Sequence, residues 1–324
     1  MSLMKTIIKM ILIYIMWYPL RIIINILPLR ITYVIGIIGG FLLYLVSQEK
    51  QKVMTKELIL VFPNRSISEV KKLIRGCFIN YCLSEMEVLL YPLMNADFIN
   101  ENIIIEGRKY LDEALLKGKG VILFQAHFGA FQMVMPAIGY SGYKMNQISA
   151  SATIWKNDKN NSRLQNKVIE IKAKHEYALP VNHIAVSSSM RPVFNAFVRN
   201  EIVGITVDGG EGKKVISIKF LERNAYFHKG SADLAIRTEA EIIPAFIITE
   251  KYLKHRVILH PPFKITNLME REDKIKTILD NFANLLEKYV YTYPTHYGYT
   301  LYLRRSRATL DLYPFFQDYE ISKS

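Results

Sequence analysis

Residues 118–132 read GKGVILFQAHFGAFQ. Val121, Ile122, Leu123 and Phe124 form an unbroken apolar run, which predicts a short strand covered on both faces, with Gly118 and Gly120 punctuating its start. His127 then falls where that strand ends. Gly129 marks a turn, and residues 130–135 resume as a helix that Pro136 kinks or ends. In open α/β sheets the reacting groups collect at the carboxyl ends of strands, so an imidazole here is placed for proton chemistry. A histidine satisfied in the core or in a turn fits the same segment.

Outward from this point, strand and helix patterns alternate. Residues 103–106 read as a strand and 108–116 as a helix leading into the Gly118 turn. Residues 144–151 follow as a strand, 168–174 as a helix and 177–180 as a brief strand. Residues 202–207 form another buried strand with Asp208 at its carboxyl end before Gly209 and Gly210, and 241–248 the next. The alternation predicts an α/β fold with a mostly parallel central sheet flanked by helices. Asp208 reads locally as a turn residue before glycines; as a second acid at a strand end, it alternatively lies near His127. Earlier in the chain, Val70, Leu73, Ile74, Cys77, Phe78 and Tyr81 repeat at helical spacing, with Ser68 as the expected cap.

The 324 residues are half apolar, enough for a large core and against disorder; one domain plus an anchoring segment is the expectation. Lys and Arg outnumber Asp and Glu by 42 to 29, a formal charge of +13, which suits an anionic partner such as a membrane surface, a phosphorylated lipid or an acidic carrier protein. No nucleic-acid-binding motif is present, so nucleic acid ranks last. Cys77 and Cys82 make neither a disulfide framework nor a metal site, in keeping with a reducing compartment.

Residues 1–48 carry the membrane signal. Residues 10–20 are apolar between Lys9 and Arg21, and residues 31–48 are uncharged between Arg30 and Glu49. Both fall short of the roughly 20 apolar residues of a solitary span. The expectation is one membrane-embedded N-terminal helix, with residues 31–46 as an amphipathic or groove-lining helix packed on the domain. Apolar character runs past position 20 without a small-residue cleavage site, which disfavours a signal peptide. Lys50, Lys52, Lys56, Arg65, Lys71, Lys72 and Arg75 beyond it favour a cytoplasmic catalytic side.

The run KGKGVILFQAHFGAFQ resembles the H-x4-D/E segment of the lysophospholipid acyltransferase superfamily, and specifically its lipid A biosynthesis branch. Three further blocks extend the resemblance from about Leu27 to Arg305: LPLRITYVIGIIGGFLLYLV with ELILVFPNRSISEVKKLIRGCFINYCLSEME, then RPVFNAFVRNEIVGITVDGGEG with FLERNAYFHKGSADLA, and YPTHYGYTLYLRR near the end. The resemblance implies a membrane-anchoring helical segment at 1–48, an acyltransferase domain at 49–305 and a tail at 306–324. It also implies transfer of a fatty acyl chain from an acyl-carrier-protein or coenzyme A thioester to a hydroxyl of a lipid A-like glycolipid or saccharide-linked acceptor. His127 would be the general base, with no cofactor and no metal, at the cytoplasmic side of a bacterial inner membrane.

The family's acid five residues after the histidine is here Gln132, which can orient an imidazole but carries no charge. Asp208 or Glu211 are the candidates for the missing carboxylate. Arg191, Glu211, Arg223, Lys229 and Gly230 are the implied substrate-binding residues, the last at a helix N-terminus suited to an anion. The alternative implied by Gln132 is a catalytically degenerate lipid-binding or assembly member. Tyr297 and Tyr299 stand where the family has tryptophans, and read equally as headgroup, interface or core aromatics.

Overall fold

A computed structural model describes residues 2–149, 161–186, 189–209, 214–265, 269–308 and 313–319. Seven strands form one sheet: β1 (Ile103–Glu106), β2 (Val121–Gln125), β3 (Met145–Ser149), β4 (Val181–Ala185), β5 (Ile202–Thr206), β8 (Glu241–Thr249) and β9 (His255–Leu259). Their spatial order is β1-β9-β8-β2-β5-β3-β4, and only the β8–β9 pairing is antiparallel. The protein is thus a mixed α/β fold with a mostly parallel sheet flanked by helices, as the alternating pattern predicts. A separate antiparallel ribbon pairs β6 (Val215–Phe220) with β7 (Arg223–His228). The β2 run is buried at every position because β5 and β8 flank it and helices cover both faces, which is why its sequence does not alternate.

Several boundaries differ from the sequence expectation. The helix Ile67–Leu89 is capped by Ser66, not Ser68: Ser66 and Glu69 exchange side-chain and backbone bonds in a capping box, a pattern that needs the S-x-x-E spacing found only from position 66. Pro136 neither kinks nor ends its helix. It sits in the first turn of Val134–Tyr140, where its missing N–H would have no intrahelical partner. Residues 177–180 are not a strand. The helix Arg163–Tyr177 runs to their start, and the strand follows at Val181–Ala185.

Near the N-terminus, Leu29–Val46 is the one helix among the described residues long and apolar enough to cross a membrane, with a mean hydropathy of 2.0. It lies against Ile67–Leu89. A Cβ at Gly40 would come 2.5 Å from Ile79 Cα, so only glycine permits this approach. Ile31, Val34, Ile38, Leu42 and Leu45 on the helix remain exposed.

A buried carboxylate ties the ends of the chain together. Glu57, on the helix Gln48–Val61, is fully buried and accepts from Arg223 Nη1 (2.9 Å), Arg305 Nη1 (2.5 Å) and Tyr319 Oη (3.1 Å). Arg223 also donates to Asp318. Residues 315–317 bond along the edge of β7, and Phe315, Phe316 and Tyr319 are buried. Part of the stretch expected as a tail is therefore docked on the domain. Removing one partner of a buried ion pair leaves the other charge uncompensated, at a cost of about 3–5 kcal/mol. Glu57→Ala is expected to lower stability by that order in chemical or thermal unfolding, and to loosen residues 313–319 to protease.

Candidate active site

Strand register brings the two key side chains together. β2 pairs with β5 in parallel with Gln125 opposite Thr206, and the Val207 N–H donates to the Gln125 carbonyl. The residues two positions beyond that pair, His127 and Asp208, therefore leave neighbouring strands side by side. Gly129 turns the chain back at φ +57, a left-handed conformation that favours glycine, and a Cβ there would lie 2.6 Å from the Ile247 carbonyl oxygen.

Asp208 is 1 % exposed. One of its oxygens lies 2.9 Å from His127 Nδ1, the His127 backbone N–H donates to both (3.0 and 3.1 Å), and Tyr297 Oη donates to Oδ2 (2.9 Å). Burial pushes this carboxyl up, but the adjoining imidazole, its hydrogen bonds and the Arg304 guanidinium outweigh that and hold it below the usual carboxylate range. An ionised carboxylate only accepts, so Nδ1 carries a proton, and in the neutral tautomer the lone pair is on Nε2. Nε2 makes no hydrogen bond to a described residue, and the side chain is 35 % exposed.

Neighbouring groups fix the ring. Phe131 meets it edge to face, with centroids 4.9 Å apart, and Thr300 Oγ1 donates to the His127 carbonyl (2.7 Å). Arg304 Nη2 lies 3.3 Å from Nδ1; since both nitrogens are donors, the contact is electrostatic. Gly209 makes room for Arg304, because a Cβ at that position would overlap the guanidinium.

His127 opens on a cavity of about 440 Å³. Gln132 lines it, but its side chain makes no hydrogen bond to His127; its backbone carbonyl instead accepts from Tyr91 Oη (3.0 Å). The carboxylate at the imidazole is Asp208. Glu211, the other candidate, lies outside the described residues.

The four implied substrate-binding residues that are described, Arg191, Arg223, Lys229 and Gly230, are not gathered at this cavity. Arg191 begins the helix Arg191–Val198 and lines a second depression with Asn195 and Arg199. Arg223 is held by Glu57 and Asp318, with 9 % of its side chain exposed. Lys229 pairs with Glu272 (2.6 Å), and Gly230 opens the helix Gly230–Thr238. Thr300 and Arg304, which do reach His127, and Tyr297, which reaches Asp208, come from the segment whose aromatics the sequence left between three readings. Tyr297 is fully buried, and Tyr299 stacks on Tyr81 at 3.9 Å, so both are core residues.

With Nδ1 held by Asp208 and the ring facing the cavity, the arrangement suits activation of a hydroxyl on a bound substrate. That requirement is met in the acyltransferases. Within them the chain belongs to the bacterial lipid A biosynthesis acyltransferase family, whose model matches residues 3–305, nearly its whole length. The family is membrane-associated and works on an acyl donor and a lipid acceptor. No curated protein matches the chain.

Because the folded Asp208 value is depressed, its contribution to stability is fully present above about pH 4, the unfolded carboxylate value, and is lost as pH falls through the folded one. Melting temperature measured between pH 5 and pH 2.5 is expected to fall less steeply in Asp208→Asn than in the wild type. Parallel profiles would contradict an ionised Asp208.

Proposed function

We propose that the protein transfers a fatty acyl chain from an acyl-carrier-protein or coenzyme A thioester to a hydroxyl of a lipid A-like glycolipid or saccharide-linked acceptor. The observation that carries this reading is the ionised Asp208 on Nδ1 with Nε2 open to the cavity. As the acceptor oxygen attacks the thioester carbonyl, Nε2 takes its proton, and Asp208 stabilises the imidazolium. Collapse of the tetrahedral intermediate breaks the C–S bond, and the imidazolium returns the proton to the departing thiolate. Asp208 thus stands in for the acid that Gln132 lacks, which favours turnover over a degenerate binding role. The chemistry needs no cofactor beyond the thioester co-substrate.

Residues 1–48 serve as the membrane anchor of a catalytic domain at 49–305. The exposed apolar side of Leu29–Val46 supports this seat on lipid. The excess of Lys and Arg suits an anionic bilayer, an anionic acceptor and an acidic carrier protein at the cytoplasmic side of a bacterial inner membrane.

The full-length protein in lipid nanodiscs, given acyl-carrier-protein or coenzyme A thioesters and a lipid A precursor, tests the reading by product mass. His127→Ala is expected to abolish transfer. Asp208→Asn is expected to lower kcat by roughly 10³–10⁴, the order seen when an amide replaces the orienting carboxylate of a catalytic triad. Equal product from wild type and His127→Ala would refute the mechanism. With Asp208 already on Nδ1, Gln132→Glu is expected to change kcat by less than about tenfold; a much larger gain would mean that Asp208 does not supply the charge.

A further inference from the structure

A row of polar side chains crosses four neighbouring strands at the cavity floor, where a parallel sheet is ordinarily apolar. Gln125 on β2 sits opposite Thr206 on β5, Gly204 on β5 opposite Gln147 on β3, and Gln147 opposite His183 on β4. Gln125, Gln147, His183 and Thr206 all line the cavity. Gln125 is 3 % exposed and Gln147 8 %. Two buried amides cost stability unless each is bonded, so their orientation carries information.

A backbone group fixes that orientation. The Ile148 carbonyl accepts from Gln147 Nε2 (3.2 Å), which aims Gln147 Oε1 at Gln125. Gln125 must then donate through Nε2 (3.3 Å), leaving its own Oε1 with no donor among the described residues. Gly204 creates the space: a Cβ there would lie 2.4 Å from Gln147 Oε1 and 2.7 Å from Gln125 Nε2. At the far end of the row, the His183 ring adjoins the carboxylate and backbone carbonyl of Glu176, which only accept, while Nε2 is buried with no partner among the described residues, so in the neutral ring the proton belongs on Nδ1. Burial lowers the pKa of this ring against the opposing pull of Glu176, and a neutral ring donating from Nδ1 presents Nε2 as an acceptor. Among the described residues the cavity wall thus holds two unfilled acceptors, Gln125 Oε1 and His183 Nε2. Among the described lining residues the lysine and the glutamate, Lys172 and Glu176, are of opposite sign and together do not call for an anion.

Resting on the acyltransferase reading, we propose that the row Gln125, Gln147 and His183 is a specificity site for a neutral ligand rich in hydroxyl donors, the sugar ring that bears the acylated hydroxyl, and that it excludes phosphate. Phosphate groups of an anionic acceptor then bind outside this cavity. Gly204 acts as a positioning residue, holding the two amides through the space it leaves.

The test uses the full-length protein with ¹⁵N-labelled histidine, titrated with methyl β-glucoside and, separately, with inorganic phosphate. The glucoside is expected to move the His183 Nε2 resonance, and phosphate to leave it in place. In Gly204→Ala and His183→Phe the glucoside affinity should fall at least tenfold, and the KM for the glycolipid acceptor should rise by a similar factor, more than kcat falls. His183→Gln, which keeps an acceptor, should recover part of the loss, and with Gly204→Ala it carries the test should His183→Phe not fold. Phosphate shifting the resonance in place of the glucoside would overturn the proposal, as would glucoside affinity unmoved in Gly204→Ala and His183→Gln. A glucoside response in a protein that transfers no acyl chain would leave this site standing and remove the acyltransferase reading. Intact transfer with unmoved KM would remove this site alone.

Discussion

One buried carboxylate organises the centre of the molecule. Asp208 sits where water cannot reach it, and a charge in that position persists only if protein dipoles and cations replace the lost solvation. His127 supplies a backbone N–H and a ring N–H, Tyr297 a hydroxyl and Arg304 a nearby positive charge. These donors come from the loop after β2 and from the C-terminal segment, so satisfying one charge draws remote parts of the chain onto the end of β5. The same contacts that stabilise the anion fix the tautomer of the imidazole. Stability and chemistry therefore share one set of bonds.

A second carboxylate does comparable work without chemistry. Glu57 joins Arg223 and Arg305, fixing an N-terminal helix, the β6–β7 ribbon and the C-terminal helix Gly298–Arg307 to one another. Arg304 and Arg305 are sequence neighbours with different duties: the first faces the His127–Asp208 pair and the second the Glu57 network. Anchoring Arg305 on Glu57 steadies the helix that delivers Arg304. Lys229 with Glu272 is a further pair of this kind.

Polar groups around the site occupy space that neighbouring residues leave open. Gln132 removes the acid that would follow the histidine in sequence, and Asp208 takes the position beside Nδ1. Gly209 leaves the space that Arg304 fills. Across the sheet, Gly204 leaves the space that the Gln125–Gln147 pair fills. At both glycines a missing side chain on β5 or its exit admits a polar group from elsewhere, which makes β5 the strand that shapes the cavity.

The sequence by itself determined the α/β class, the buried β2 strand, the placing of His127 at its end and the apolar N-terminal helix, because these rest on local hydrophobic periodicity and on glycine and proline punctuation. It located Asp208 at a strand terminus but left it between turn residue and partner of His127. Only the β2–β5 register, which joins residues 81 positions apart, settled that. Tertiary structure alone also drew in Tyr297, Thr300 and Arg304, and turned Arg223 away into an ion-pair network, since charge and aromaticity in a sequence do not reveal which partner they meet. Ser66 and Glu69 show the opposite case: their capping box was written in adjacent residues, and only the choice of serine had to be corrected. Interactions that close within one turn of chain are legible in order, whereas those that close across a sheet depend on which strands become neighbours.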